Sequence, residues 1–178
     1  MHDFKTVKKI LKFIPSLIGL EIRKRSELDR FLFTFNSATT ARFLYFKRML
    51  EKVSDTEGDI VECGVGKAKS FQMLSFLLEQ SRDSQRVLWG FDSFTGFPAP
   101  TAEDHSLLNT KEGDWNYLSH KGVLKILHKT RINPRFINSQ IRLVEGFFEE
   151  TLPKYKIKSL KLILCISTLI CTNLIKSV

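Results

Sequence analysis

The chain has 178 residues, of which 43% are hydrophobic and 15 are phenylalanine, so it can bury one sizeable core, and no apolar run reaches the length of a bilayer span. Its net charge of +9 arises at the ends, because residues 1–30 carry eight basic side chains against four acidic ones, residues 154–178 carry five against none, and residues 31–153 balance. A nucleic-acid-binding face built into the fold is therefore not expected.

Residues 1–35 form the first predicted segment, and residues 36–178 form a second segment that carries the main domain. In the first segment, apolar residues recur at three- and four-residue steps with lysines between them, which predicts a basic amphipathic helix interrupted near Pro15. The apolar positions are Phe4, Val7, Leu11, Ile14 and Ile18. Such a helix packs on its own domain or on the partner subunit of a homo-oligomer more often than on a membrane surface, which stays the weaker alternative.

A second helix is predicted over Ala38–Val53, ahead of the first strand. The β-branched run Asp59–Val61 ends at Glu62 and opens into Gly64 and Gly66. This pattern predicts a buried strand that enters a tight glycine turn.

The next predicted strand, Val87–Phe91, ends on Asp92 and follows a helix predicted over Phe71–Leu78. Ligands of open α/β sheets bind at the carboxyl ends of the strands, so Asp92 can reach ribose hydroxyls from the strand tip next to Glu62. Each piece has a plainer interpretation, since glycines after a strand are often only a turn and Asp92 could cap a helix. The two acids at neighbouring tips together favour a nucleoside cofactor.

The glycine spacing indicates which nucleoside is bound. A dinucleotide site needs G-x-G-x-x-G, and the third glycine counted from Gly64 would fall on Lys69. Glu62, just before the turn, would repel a pyrophosphate and attract a cationic amino-acid group. S-adenosylmethionine carries a sulfonium and an ammonium, so it fits this charge better than NAD does.

Residues 96–118 form a long polar segment, which predicts an active-site lid or an acceptor-binding segment. His105 and His120 are candidates for an acid–base role, although histidines in loops are more often simply solvated. Ser119 is expected to cap a following helix, and Ile141–Val144 is expected to form the third strand.

The three cysteines are odd in number and show no C-x-x-C spacing, which indicates a reducing compartment and a cytoplasmic protein. They are Cys63, Cys165 and Cys171. Cys63 is predicted to be a small core residue of the first strand.

The sequence between about residues 36 and 153 resembles the macrocin O-methyltransferase family. The likeness rests on three blocks in order, GDIVECGVGKAKSF, LWGFDSFTGFPAPTAED and VEGFFEETLP. The resemblance implies a Rossmann-like class I methyltransferase that uses S-adenosylmethionine, usually with Mg²⁺, to methylate sugar hydroxyls of natural products. It implies that the methionine end of the cofactor lies by Glu62, Gly64, Gly66 and Ser70, the ribose by Asp92 and Ser93, and the adenine by Gly146 and Phe147.

The glycine turn departs from the family pattern at two positions. Ala68 and Lys69 stand where relatives often carry a Gly-Gly pair, so the loop is bulkier and more basic. We expect this change to weaken cofactor binding. Thr95 replaces a frequent acid in the second block.

The last part of the sequence departs further. At the fourth strand the family carries a His-Ile-Asp-x-Asp-Leu-Tyr-Glu-Ser block with metal-binding acids, whereas no Asp or Glu follows Glu150 here. A permitted choice of codons for Cys165–Val178, read from the third base of the first codon, encodes His-Ile-Asp-Phe-Asp-Leu-Tyr-Glu-Ser-Tyr-Lys-Val-Cys. We therefore predict a frameshift at or just before this codon, a truncated sheet and missing Mg²⁺ ligands. Leu160–Ile170 remains apolar enough to pair as a strand.

The sequence thus predicts an α/β protein with an incomplete doubly wound sheet of three to four strands. Its predicted function is the S-adenosylmethionine-dependent O-methylation of a sugar hydroxyl in a small molecule or glycan, with little or no turnover by the truncated chain. Two alternatives remain, a non-catalytic cofactor-binding or interaction module and a membrane-surface protein. No catalytic residue is assigned.

Overall fold

The structure is a computed structural model that describes residues 27–32, 34–81, 83, 85–100 and 111–155 in full and residues 162–167 by their backbone. The chain divides into two compact units, Met1–Arg30 and Phe31–Val178. The predicted amphipathic helix lies outside the described residues, so the domain boundary expected after residue 35 stays a prediction. None of the described helices has the length and apolar character needed to cross a bilayer.

Helices and strands alternate through most of the described residues. A short 3-10 helix, Glu27–Phe31, is followed by α1 (Ser37–Lys52), β1 (Asp59–Cys63), α2 (Lys69–Ser81), β2 (Leu88–Asp92), α3 (His120–Lys129), α4 (Pro134–Gln140), β3 (Ile141–Glu145), α5 (Phe148–Thr151) with a 3-10 turn at Leu152–Tyr155, and β4 (Leu162–Ser167). The helices predicted at α1, α2 and α3 and the predicted strands are confirmed. Helix α4 was not predicted.

The helix starts follow local capping chemistry. The Asn36 side chain accepts the Thr39 N–H at 2.9 Å and the Thr39 hydroxyl accepts the Asn36 N–H at 2.9 Å, which closes a capping box at α1. Ser119 caps α3 as predicted. Helix α4 begins with Asn133 as cap and Pro134 at its first position, a combination typical of helix starts.

The four strands form one parallel sheet in the order β3-β2-β1-β4. A doubly wound sheet has this order around its first strand, so the predicted fold class is confirmed. Strand β4 pairs with β1, which confirms the strand expected within Leu160–Ile170.

The sheet buries different side chains on its two faces because neighbouring residues of a strand point to opposite sides. One face holds an apolar cluster of Val61, Cys63, Phe91 and Val144, against which Trp89, Phe148 and Leu152 pack. The prediction that Cys63 is a core residue is confirmed. The opposite face carries Ile60 and Glu62, and it is covered by α2.

Polar contacts organise the amino ends of β1 and β2. Buried Arg86 donates to three carbonyls of the turn after α1 and forms an ion pair with Asp83 at 2.9 Å. Asp59 accepts the Val87 N–H and the Trp89 indole N–H, each at 2.9 Å. These side chains are therefore occupied in holding the strands together, and the predicted site lies at the opposite ends of the strands.

Candidate functional site

Glu62, the fourth residue of β1, is fully buried. The hydroxyl of Ser70, in the first turn of α2, donates a hydrogen bond to Glu62 Oε1, whereas Oε2 has no partner among the residues whose side chains the structure describes. Burial raises the pKa of the Glu62 carboxyl to about 8, the hydrogen bond from Ser70 opposes this rise, and the nearby Asp92 carboxyl adds to it. At neutral pH the Glu62 side chain is therefore mostly protonated.

The turn after β1 brings the backbone against the end of β2. Gly64 and Gly66 have φ angles of 84° and 51°, a region that glycine adopts without strain. The Gly64 N–H donates to the Phe91 carbonyl at 2.8 Å, and the Gly66 N–H donates to Asp92 Oδ2 at 2.8 Å. Ala68 is also left-handed, with a φ of 55°, and buried, so it carries strain of roughly 1–2 kcal/mol that a glycine would avoid.

Asp92, the last residue of β2, is half-buried and accepts two backbone hydrogen bonds. Its Oδ2 binds the Gly66 N–H and its Oδ1 binds the Phe94 N–H, each at 2.8 Å. Each carboxylate oxygen keeps acceptor capacity for a further donor. The Ser93 hydroxyl donates to the Gly96 carbonyl at 2.7 Å, so it shapes the turn after β2.

The end of β3 is joined to the end of β2. The Gly146 N–H donates to the Asp92 carbonyl at 3.0 Å, and the half-buried Phe147 follows at the start of α5. Gly146 has a φ of 140°, and a methyl group on it would lie 2.8 Å from Thr151 Cγ2. Both the backbone angle and the close packing therefore require glycine here.

These contacts bring the predicted site residues to the carboxyl edge of β1, β2 and β3. The set comprises Glu62, Gly64, Gly66, Ser70, Asp92, Ser93, Gly146 and Phe147. Their role in binding a cofactor stays a prediction. The edge combines one buried carboxyl, one half-buried carboxylate and a glycine turn, an arrangement that can accept hydrogen bonds from a ligand.

Two further side chains at this edge did not follow from the sequence. Tyr117 Cδ2 lies 4.0 Å from the position that a methyl group on Gly66 would take. The Lys67 ammonium stands over the Tyr117 ring, 4.5 Å from its centroid. Tyr117 belongs to the segment predicted as a lid, but nothing in its spacing indicates which part of the chain it meets.

The segment of residues 96–118 closes on itself at its base. The Phe97 N–H donates to the Asp114 carbonyl at 2.7 Å, and the Gly113 N–H donates to the Phe97 carbonyl at 2.9 Å. The described parts, residues 96–100 and 111–118, contain neither helix nor strand, as expected for a long loop. The lid role stays a prediction, and His105 lies outside the described residues.

His120, the other acid–base candidate, is the first residue of α3. Its ring stacks on Phe94 with the centroids 5.7 Å apart, and its Nδ1 lies 3.8 Å from Glu145 Oε2. The ring therefore stands near the carboxyl ends of β2 and β3. Its acid–base role stays a prediction.

Within residues 34–81, 85–100 and 111–155, no group of three or more His, Cys, Asp or Glu side chains could hold a metal ion. Glu62 and Asp92 are only two acids, and the described residues add no third His, Cys, Asp or Glu ligand beside them. The described residues therefore do not fit a Mg²⁺ ion, which needs several oxygen ligands in octahedral geometry.

Comparison with known proteins identifies the family. The family model described as macrocin-O-methyltransferase (TylF) matches residues 17–168, most of the chain. The chain belongs to the macrocin O-methyltransferase family. Membership confirms the predicted family, which is a family of methyltransferases.

A curated member of related sequence comes from Streptomyces olivaceus. It is 8-demethyl-8-(2,3-dimethoxy-alpha-L-rhamnosyl)-tetracenomycin-C 4'-O-methyltransferase, and it is 33% identical to this chain over 100 residues. The match covers 54% of this chain and 37% of the relative. The chain thus matches little more than a third of the length of that relative.

Two solved methyltransferase structures share the fold of the chain. CalS11, a calicheamicin methyltransferase, superimposes with a TM-score of 0.64 at 20% sequence identity, over 94% of this chain and 68% of its own. The O-methyltransferase NovP superimposes with a TM-score of 0.57 at 24% identity, over 69% of this chain and 52% of its own. At these identities the likeness bears on the fold.

Proposed function

We propose that this member of the macrocin O-methyltransferase family binds S-adenosylmethionine and methylates a sugar hydroxyl in a small molecule or glycan. One observation carries the proposal. Glu62 and Asp92 lie near the ends of neighbouring parallel strands, and the glycine turn between them is bound to Asp92 through the Gly66 N–H at 2.8 Å. Acids on both sides of such a turn suit a ligand with a ribose and a cationic amino-acid end.

The chemistry of these residues fits S-adenosylmethionine. Glu62 Oε2 lacks a partner among the described side chains, and Asp92 keeps acceptor capacity on both oxygens. The ligand offers matching donors, an ammonium group and two ribose hydroxyls. When bound, S-adenosylmethionine supplies a methyl group on a positively charged sulfur.

Each residue of the candidate site has a distinct role in this proposal. Glu62 and Ser70 orient the methionine end, and the left-handed glycines let the ligand approach the backbone without meeting a Cβ atom. Asp92 accepts the ribose hydroxyls, with Ser93 holding the turn beside it. The end of β3, at Gly146 and Phe147, lies against the Asp92 carbonyl and is assigned to the adenine. The site thereby fixes the direction in which the methyl group is presented.

A sugar acceptor is supported by the relative from Streptomyces olivaceus, whose name places the transferred methyl on the 4'-oxygen of a rhamnosyl group. In this chain, Tyr117 stands beside the glycine turn, and we propose that it contacts the acceptor. We assign no base for the acceptor hydroxyl. A Mg²⁺ requirement, which the family resemblance implies, has no fitting ligand set in the described residues, and no step is assigned to it.

The remaining proposals concern the setting of the enzyme. We propose a cytoplasmic protein that binds a small molecule or glycan and no nucleic acid, in which residues 1–35 serve as a helical segment for self-packing or homo-oligomer contacts. Residues 36–178 are proposed as the methyltransferase domain.

Calorimetric titration of S-adenosylmethionine into the chain tests the proposal. We expect saturable binding that Asp92→Asn weakens at least tenfold, because the amide replaces one acceptor oxygen with a donor. Asp55→Asn is the matched control, since Asp55 is an exposed acid ahead of the amino end of β1, and it should bind as the wild type does.

Transfer of a labelled methyl group to rhamnosylated acceptors then tests the reaction. Binding together with transfer supports the enzyme. Tight binding without transfer to any acceptor would agree with the low turnover predicted from the sequence and with the alternative of a non-catalytic cofactor-binding module. A folded chain that binds no S-adenosylmethionine would refute the proposed function.

A further inference from the structure

The two acids at the carboxyl edge of the sheet have no basic counter-ion in the described part of the chain. Within the described residues, ion pairs join Lys47 to Glu51 and Arg86 to Asp83, and His120 Nδ1 lies 3.8 Å from Glu145 Oε2. The glycine turn carries a base, Lys67, and its ammonium stands over the Tyr117 ring. Neither Glu62 nor Asp92 therefore forms an ion pair with a base in the described part of the chain.

The buried position of Glu62 makes ionisation of its carboxyl energetically costly. The side chain is fully buried, and only one of its oxygens is hydrogen-bonded, by a neutral hydroxyl. A buried carboxylate without a counter-charge is strongly destabilised, and a neighbouring carboxylate such as Asp92 adds repulsion. A bound proton removes both penalties, and in keeping with this the pKa of Glu62 is raised to about 8.

We infer that Glu62 couples ligand binding to proton release: the carboxyl holds a proton in the ligand-free chain and gives it up to solvent when a ligand with cationic groups occupies the edge. The O–H bond of the carboxyl breaks, the electron pair stays on Glu62 as the carboxylate, and the proton passes to the buffer. The ligand's positive charge then replaces the proton as the partner of Glu62. The inference rests on the proposed function and deepens it, because it makes Glu62 the residue that selects a cationic ligand over a neutral one.

The ionisable groups on the elements around Glu62 limit which of them could share this role. Strand β2 contributes Asp92, whose charge acts on Glu62. The glycine turn and the start of α2 contribute Lys67 and Lys69, whereas the Cys63 thiol of β1 lies on the opposite face of the sheet. Strand β4, described by its backbone, carries Cys165 in register with Val61. Glu62 is the one buried carboxyl among them, so we assign the exchanged proton to it.

Calorimetry in two buffers of different ionisation enthalpy measures the proton directly. At pH 6.5 the amino group of S-adenosylmethionine is already protonated, since α-amino groups titrate at about 7.7–8.0. We expect close to one proton released per S-adenosylmethionine bound, and none for methylthioadenosine, which has the ribose and adenine but neither cationic group. The affinity for S-adenosylmethionine should rise nearly tenfold from pH 6 to pH 7.

Glu62→Gln tests the assignment to this residue. We expect the variant to bind S-adenosylmethionine with no proton release and with an affinity that hardly changes between pH 6 and pH 7, while Asp55→Asn behaves as the wild type. If Glu62→Gln does not fold, carbon NMR of the glutamate carboxyls in the wild type replaces it, and one of them should lose its proton on addition of S-adenosylmethionine at pH 6.5.

The outcomes separate the two proposals. Binding of S-adenosylmethionine without proton release, or proton release that persists in Glu62→Gln, overturns this inference and leaves the proposed function standing. The absence of any binding by the folded wild type overturns the proposed function and this inference with it.

Discussion

Glu62 and Asp92 lie near the carboxyl ends of paired strands, yet their surroundings differ. Glu62 points to the face covered by α2, is fully buried, and has one oxygen without a partner among the described side chains. Asp92 is the last residue of β2 and is half-buried, and each of its carboxylate oxygens accepts a backbone N–H at 2.8 Å. Two acids near the carboxyl ends of their strands thus have different surroundings. Turns supply backbone N–H donors to Asp92, whereas helix α2 excludes water from Glu62.

The largest expected effect that separates the two acids is the pH dependence of folding. An ordinary glutamate has a pKa of 4.5, and the fold raises the pKa of Glu62 to about 8. Between these two pH values the folded chain therefore keeps a proton that the unfolded chain has lost. Stability is therefore greatest below pH 4.5 for this group and declines as the pH rises to 8. From pH 5.5 to 7.5 the loss should be roughly 2–3 kcal/mol.

Urea unfolding of the wild type and Glu62→Gln at both pH values measures this loss. The variant cannot titrate at this position, so it should lack the Glu62 share of the decline, and the difference between the two proteins removes the contributions of histidines. Asp55→Asn should keep the wild-type decline. If the free energy of unfolding had the same pH dependence in the wild type and in Glu62→Gln, the pKa of Glu62 would not be raised, and its contrast with Asp92 would be wrong.

The next effect concerns the packing beneath the two acids. Gly90 of β2 is paired with Glu62, and a methyl group on it would lie 2.7 Å from the Phe71 ring and 2.8 Å from Leu143 Cδ2. Gly90→Ala should therefore destabilise the fold by about 1–3 kcal/mol through overpacking.

Gly122→Ala provides the matched control for Gly90→Ala. Gly122 lies in α3, and its added methyl group would meet its nearest neighbour at 3.4 Å, an ordinary contact. Alanine is the better helix former by up to about 1 kcal/mol, so this variant should be as stable as the wild type or more so. Urea unfolding of both variants checks the pair, and a Gly90→Ala protein as stable as Gly122→Ala would contradict the packing argument.

The strand ends could be predicted from sequence because their signals are local. The β-branched run before Glu62, the glycines after it and the acid at Asp92 each report the structure of a few neighbouring residues, and parallel pairing places them together. The confirmed N-cap at Ser119 is local in the same way. Helix α4 also had a local signal, Asn133 followed by Pro134, which was not used.

The differences between the acids could not be predicted because they depend on tertiary contacts. Which face of β1 is covered by α2, and hence that Glu62 loses water, depends on how a helix packs eight residues further along the chain, at Ser70. The approach of Tyr117 to Gly66 joins the end of the 96–118 segment to the turn after β1, with α2 and β2 between them in the chain. Local patterns carry no information about such contacts.

A smaller effect should come from the single hydrogen bond on Glu62. Ser70→Ala removes the donor that lowers the pKa of Glu62, so the pH range over which stability declines should extend to higher pH. The loss of one buried hydrogen bond should also cost about 1 kcal/mol at neutral pH. Ser75→Ala is the control in the same helix, since the Ser75 hydroxyl is buried but donates to the Phe71 carbonyl at 2.7 Å. Each variant loses one buried hydrogen bond, but only Ser70→Ala should change the pH dependence of urea unfolding.

The smallest effect should come from Lys67, an exposed base in the glycine turn. Its ammonium lies 4.5 Å from the centroid of the Tyr117 ring, so Lys67→Met should remove a cation–π contact at an exposed site, worth roughly 0.5–1 kcal/mol. Because the electrostatic influence on Glu62 comes from Asp92, the pH dependence of unfolding should stay as in the wild type. Lys121→Met, at an exposed lysine of α3, is the control for loss of a surface charge. If Lys67→Met alone changed the pH dependence of unfolding, Lys67 would act as a counter-ion of Glu62. The contrast between Glu62, without a counter-ion, and Asp92, bound by two backbone N–H groups, would then be wrong.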